Sequence, residues 1–197
     1  MATKRKHPAL STRDRILHAA KRLFQQRGYY AVGTAEILDV ARAPKGSMYH
    51  HFPEGKEQIA IEAVNTMRVD VMSMMQELAS AKLSVADSIR KLAKGMASWL
   101  KTSEWREGTM LASTTVGSVP NLPQLHAAIK AAFDEWREHL TTLLMEEKWS
   151  KASAQTMAYT IIAAIEGAMI LARIDQDERI VIKVSETLAC VVESGQP

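Results

Sequence analysis

The residues with the most chemistry in their spacing lie near the amino end: Thr34-Ala-Glu-Ile-Leu-Asp-Val-Ala41, Arg42-Ala-Pro44, then Lys45-Gly-Ser-Met-Tyr-His-His-Phe52. Cations and short or planar hydrogen-bonding groups fall on the second of two brief helical patterns, across a tight break. A helix laid in a DNA major groove needs this mixture, because some side chains must grip phosphate while others read base edges. Lys45 and Thr34 suit phosphate, and Gly46 lets the backbone approach an anion with no side chain between. Ser47, Tyr49 and His50 suit base edges. His50 and His51 read equally as ordinary polar surface positions. Neighbouring helical residues diverge by about 100°, so the two cannot chelate a metal together.

These groups need a rigid support, and the flanking sequence supplies one. Ser11-Thr-Arg-Asp14 has the spacing of a capping box and starts a first helix. Ile16, Ala19, Ala20, Leu23 and Phe24 recur at helical steps, Arg15, Lys21, Arg22, Gln25 and Gln26 fall on the wet side, and Gly28 supplies a left-handed stop. Thr34 is expected to cap the second helix, with Ile37, Leu38 and Ala41 inward. Pro44 suits the first turn of the third, which Met48 and Phe52 anchor.

Charge follows the same division. Residues 1 to 51 hold ten Lys and Arg against three acids, a balance of +7, whereas the other 146 residues hold 15 basic and 19 acidic, a balance of −4. A cationic head on a near-neutral body fits a polyanion-binding module. A basic tail that only aids solubility accounts for Lys4 to Lys6 but not for the co-location with the helical pair.

From Lys56 a long amphipathic helix carries Ile59, Ala60, Ala63, Val64, Met67, Val71, Met74, Met75 and Leu78 along one side. Ser84 caps the next, with Ile89, Leu92, Ala93, Met96, Trp99 and Leu100 inward, and the chain loosens from Thr102 to Pro123. Further helices span Leu125 to Glu147, Met157 to Ala172 and Ile180 to Val192. The reading is all-α in two domains, 1–55 as a helix-turn-helix head and 56–197 as a helical body. Ile161, Ala164, Ile165, Ala168, Met169 and Ala172, with Ile180, Val184, Leu188 and Val191, form apolar stripes on the last two helices. They fit a four-helix seam between two copies, the two-fold symmetry that presents paired reading helices to a palindrome about 34 Å apart. Filling of the subunit's own core is the alternative.

The stretch from about Thr12 to Val64 resembles the TetR family of bacterial transcriptional regulators. The likeness rests on Ile16-Leu-His-Ala-Ala20, Leu23-Phe24, Arg27-Gly28-Tyr29, Ile37, Val40-Ala41, Lys45-Gly-Ser-Met-Tyr49, Phe52 and Lys56-Glu57. His50-His-Phe-Pro-Glu-Gly-Lys-Glu57 is similar to a branch that regulates antibiotic efflux. Arg42-Ala43-Pro44 stands where Gly-Val-Ser is usual in the family, which opens the question of how the turn is hydrogen-bonded. The resemblance implies a dimeric repressor of a DNA operator, a phosphate contact from Lys56, and release by a small, largely apolar effector held in the body. Met96, Trp99, Met110, Trp136, Tyr159 and Met169 can wall such a site, and Glu166 can orient a polar or cationic group.

Other function classes find less support. The chain lacks His-Glu-x-x-His, a phosphate loop, a nucleophile elbow and a cysteine pair, so neither enzyme chemistry nor a cofactor is expected. An all-helical small-molecule enzyme or carrier, or an architectural DNA binder without a ligand, are the alternatives. Cys190 is the one cysteine, no charged-then-apolar leader opens the chain, and the apolar run from Ile161 to Ala172 is broken by Glu166. A cytoplasmic, nucleoid-associated protein without a membrane segment is the expectation.

Overall fold

The computed structural model describes residues 10–111, 113–114 and 121–195. Lys4 to Lys6 and Pro120 lie outside them. The described residues form helices and connections with no strand. In chain order the helices are α1 (Thr12–Arg27), α2 (Thr34–Val40), α3 (Ser47–His51), α4 (Lys56–Ser80), α5 (Val85–Thr102), α6 (Pro123–Glu146), α7 (Lys151–Asp175) and α8 (Arg179–Ser194).

Three helix starts follow from one device. Ser11, Ser84 and Ser150 each accept a hydrogen bond from an otherwise free amide, on Asp14 at 3.1 Å, Asp87 at 3.0 Å and Ser153 at 3.2 Å. The Ser150 cap begins α7 six residues before the expected Met157. Two other starts differ from the sequence reading. Gly33, not Thr34, occupies the cap of α2, and Thr34 is its first helical residue. Pro44 opens a tight turn closed by the Ser47 amide on its carbonyl at 2.9 Å, so α3 begins only at Ser47.

The head's core is Ile16, Ala19, Ala20, Leu23 and Phe24 of α1 packed with Ile37 and Leu38 of α2, Met48 of α3 and Phe52. The first half of α4 closes it with Ile59, Ala60, Ala63 and Val64. Further along, Met75 and Leu78 turn into the body, so one continuous rod belongs to both cores. In the body α4 meets α6, α6 meets α7, and α8 lies against both α5 and α7. Arg90 of α5 ties α8 with bonds to Glu186 at 2.9 Å and Glu193 at 2.6 Å.

The apolar stripes of the last two helices are divided differently from the expectation. Ile161, Ala168, Met169, Ala172 and Leu188 are buried in the subunit's own core. The face of α7 left open carries Tyr159, Ile170, Leu171 and Ile174, with Val191 beside it on α8. Periodicity found both stripes but could not assign their neighbours. By length and composition α7 is apolar enough to cross a bilayer, a property it shares with the core helices of many globular proteins; here one side of it packs on α6 and α8.

Candidate nucleic-acid interface and its tie to the body

Most of the groups singled out for DNA stand on one edge of the head. Lys45, Gly46 and His50 are exposed, and Tyr49 is 68% exposed despite its large ring. Burying Met48 and Phe52 turns Tyr49 and His50 outward, since adjacent helical residues point about 100° apart. Ser47 is half-buried and less free than its type suggests. Its hydroxyl donates to the Pro44 carbonyl at 2.6 Å, leaving only acceptor capacity for a base. Thr34 makes no capping bond and is half-buried at the start of α2.

Lys56 is the first residue of α4, where unpaired amides and the helix dipole favour an anion. Its ammonium stands 4.0 Å from the centre of the Tyr29 ring, a cation–π contact that holds it in place. Partial burial lowers its pKa, a penalty that an incoming phosphate would relieve. Gly55, at φ 73°, caps that helix; a methyl placed there would lie 3.8 Å from the Tyr49 ring, so the α4 start adjoins Tyr49. Arg13, absent from the sequence reading, lies 5.0 Å from the centre of the Phe52 ring and pairs with Glu62 of α4.

The tie between head and body runs through the stretch after α5. Arg22 donates to Glu107 at 2.9 Å, the Gly108 amide to the Gln25 carbonyl at 3.3 Å, and the Ser113 hydroxyl to the Phe24 carbonyl at 2.9 Å. The other Glu107 oxygen accepts from the Trp99 indole at 3.0 Å. Thr109 donates to Glu166, and Arg173 donates to the carbonyls of Trp105 and Arg106 at 3.2 and 3.1 Å. The same short stretch therefore touches α1 of the head and α7 of the body.

The seven residues predicted for an effector are not brought together. Met96, Trp99 and Met169 pack with Ala93, Leu100, Ala172 and Val181, whereas Met110 and Trp136 belong to the main core. The Trp136 indole donates to the Arg68 carbonyl of α4 at 3.3 Å. Tyr159 is 58% exposed with Arg137 stacked on its ring at 4.4 Å, on the outside of the subunit. Two surface depressions, of about 280 and 370 Å³, are lined by His18, Lys21, Arg22, Gln25 and Glu107, and by Trp149, Ala152, Ser153, Thr156 and Met157. Neither includes any of the seven.

Glu166 does face inward, and burial pushes its carboxyl above the ordinary 4.5 while the Thr109 bond partly offsets the shift. A group that holds its proton more tightly when folded gives stability that is lost as pH rises from its unfolded value to its folded one. Glu166→Gln, which keeps an acceptor for Thr109, is expected to remove that part of the slope above pH 4.5. Urea midpoints of both proteins across pH 4.5 to 8 measure it; parallel curves would show that the carboxyl is not held protonated.

Residues 16–63 match the family model for bacterial regulatory proteins of the tetR family, and residues 85–187 match the carboxy-terminal domain of LmrA/YxaF-like transcriptional regulators. The HTH-type transcriptional regulator LmrA of Bacillus subtilis is 35% identical over 164 residues, covering 81% of this chain and 85% of its own. The uncharacterized HTH-type transcriptional regulator YxaF of the same organism is 32% identical over 185 residues, covering 92% and 95%. Among solved structures, a TetR transcriptional regulator from Legionella pneumophila superposes with a TM-score of 0.83 at 22% identity, over 97% of this chain and all of that one. One from Chloroflexus aurantiacus gives 0.78 at 27%, over 92% and 94%.

Proposed function

Because the chain belongs to the TetR family of bacterial transcriptional regulators, we propose that it is a dimeric repressor that leaves its operator when a small molecule occupies the body. The observation that carries this reading is the exposed edge from Lys45 to His50 beside the amino end of α4 with its stacked Lys56. Lys45, Lys56 and Thr34 hold phosphates, Gly46 allows close approach, and Tyr49, His50 and the acceptor side of Ser47 face the bases. In this reading residues 1–55 form the DNA-binding unit and 56–197 the sensing and dimerising unit, with α4 as the lever between them. The work is done on chromosomal DNA in the cytoplasm.

Dimerisation uses the open face of α7. Thr156, Thr160, Ala163, Gly167, Ile170 and Ile174 are spaced alternately by four and three residues, and a methyl added at Gly167 would meet nothing within 4 Å. Small residues in the middle of such a row let two helices approach closely, and a two-fold axis pairs the row with itself. Ile170, Leu171, Ile174 and Val191 extend the apolar area. A contiguous apolar patch of this kind marks an association site.

Glu166 is the group we assign to orient the effector, with Met96, Trp99 and Met169, which pack in one cluster of the body, as apolar wall. An effector that takes Glu166 from Thr109 acts on the stretch that also holds α1. About 3 kcal/mol of differential affinity between the two forms lowers operator occupancy by roughly two orders of magnitude.

The test is direct. The purified full chain is expected to sediment as a dimer and to shift a fragment of its own upstream promoter at low salt. A lone subunit that ignores that fragment would end the proposal.

A further inference from the structure

The turn that joins α2 to α3 departs from what its backbone asks for. Arg42 has φ 50°, a left-handed conformation that is disfavoured for a residue with a side chain and that glycine adopts freely. The helix end is nevertheless closed as a Schellman pair, with the Arg42 amide on the Asp39 carbonyl at 3.0 Å and the Ala43 amide on the Leu38 carbonyl at 2.9 Å. Pro44 follows and has no amide to give. The carbonyls of Ala41 and Arg42 are left without a partner inside the turn.

Both are met from α1. Arg15 donates its Nε to the Ala41 carbonyl at 3.1 Å and one terminal nitrogen to the Arg42 carbonyl at 3.5 Å. The same guanidinium reaches the Leu10 carbonyl and the Thr12 hydroxyl, each at 3.4 Å, so its plane is fixed at both ends. Only a planar fork can make this set of bonds; an ammonium cannot. A cation is also the right charge for carbonyls at a helix carboxyl end.

We propose that Arg15 is a positioning residue for sequence reading: by bridging the Ala41 and Arg42 carbonyls to α1, it fixes the angle at which α3 is presented to the groove. The inference rests on the DNA-binding reading above and adds a residue that touches no base. Phosphate grip comes from Lys45 and Lys56 and tolerates a shifted helix, whereas base reading does not. Loss of Arg15 therefore removes discrimination and spares non-specific attraction.

The experiment compares two duplexes of equal length and composition, the upstream promoter fragment and its scrambled version, by fluorescence anisotropy with the full chain. Arg15→Ala is expected to lose about tenfold on the promoter duplex and to stay within about twofold on the scrambled one, with the salt dependence unchanged. Arg42→Gly in the Arg15→Ala background relieves the strain of the turn but leaves both carbonyls unbridged, so promoter affinity is expected to stay about tenfold low. Should Arg15→Ala fail to fold, Arg15→Lys carries the test, since it keeps the charge without the fork and is expected to lose discrimination as well. Equal losses on both duplexes with a salt slope smaller by about one would make Arg15 a phosphate contact and overturn the proposal. Recovery of promoter affinity on adding Arg42→Gly would show that Arg15 only offsets strain in the turn, and overturns it too. A parent protein with no preference between the duplexes would instead defeat the regulator reading, and this assignment with it.

Discussion

Gly28→Ala is expected to destabilise the protein by about 3 kcal/mol, the sum of a backbone conformation that side chains avoid and a collision that the backbone must absorb. Gly28 ends α1 at φ 74° and ψ 175°. A methyl there would come 2.5 Å from the Ser113 carbonyl oxygen. That oxygen belongs to main chain, so no side chain can swing aside. Ser113 is also bonded to the Phe24 carbonyl, which fixes the two segments against one another. The shift forced by the methyl falls on the boundary between head and body. Urea titration should show the loss, with a melting point lower by about 10 °C for a chain of this size. Gly95→Ala is the matched control: Gly95 lies inside α5, a methyl on it meets nothing within 4 Å, and the change should stabilise by about 0.8 kcal/mol. Equal effects at both positions would mean that close packing at Gly28 is not what selects glycine.

Two substitutions on the reading edge should separate grip from recognition. Tyr49→Ala removes a ring that is 68% exposed, so folding is little affected. Operator affinity should fall by about 1 to 3 kcal/mol for each half-site, while attraction to unrelated DNA stays nearly constant. Lys45→Ala should weaken both alike and reduce the slope of affinity against salt by about one for each head. The proposed dimer would carry each change twice, so footprints at moderate salt should be lost for both variants. The diagnostic is the opposite behaviour on scrambled DNA. If Tyr49→Ala binds the operator as the parent does, α3 is not the reading helix.

The head was legible in the sequence because local signals there agree. Ser11 caps where the capping box predicts, and Ile16, Ala19, Ala20, Leu23 and Phe24 are all buried. The motif residues keep their exposure because Met48 and Phe52 between and beside them are apolar. What local pattern could not supply was any partner distant in the chain. Arg15 falls on the wet side of α1 by periodicity, yet its acceptors lie 26 and 27 residues away. Thr34 has the chemistry of a cap, but Gly33 already takes the position. In α7 apolar residues recur on more than one face, and a 3.6-residue period cannot tell a neighbour in the same subunit from one in another. The effector residues were chosen for softness and flatness, properties that carry no direction; Tyr159 ended outside and Met110 inside the packed core. Glu166, set among Ile165, Gly167 and Ala168, pairs with Thr109, a partner 57 residues away that no local pattern reveals.

The two oxygens of Glu107 are shared between a cation of α1 and the indole of α5. The emission of an indole responds to its hydrogen-bond acceptor, so Trp99 is placed to report a change at the carboxylate that also holds α1. A variant keeping Trp99 as its one tryptophan, with Trp105, Trp136 and Trp149 replaced by Phe, would let promoter binding be followed in a cuvette with no dye attached.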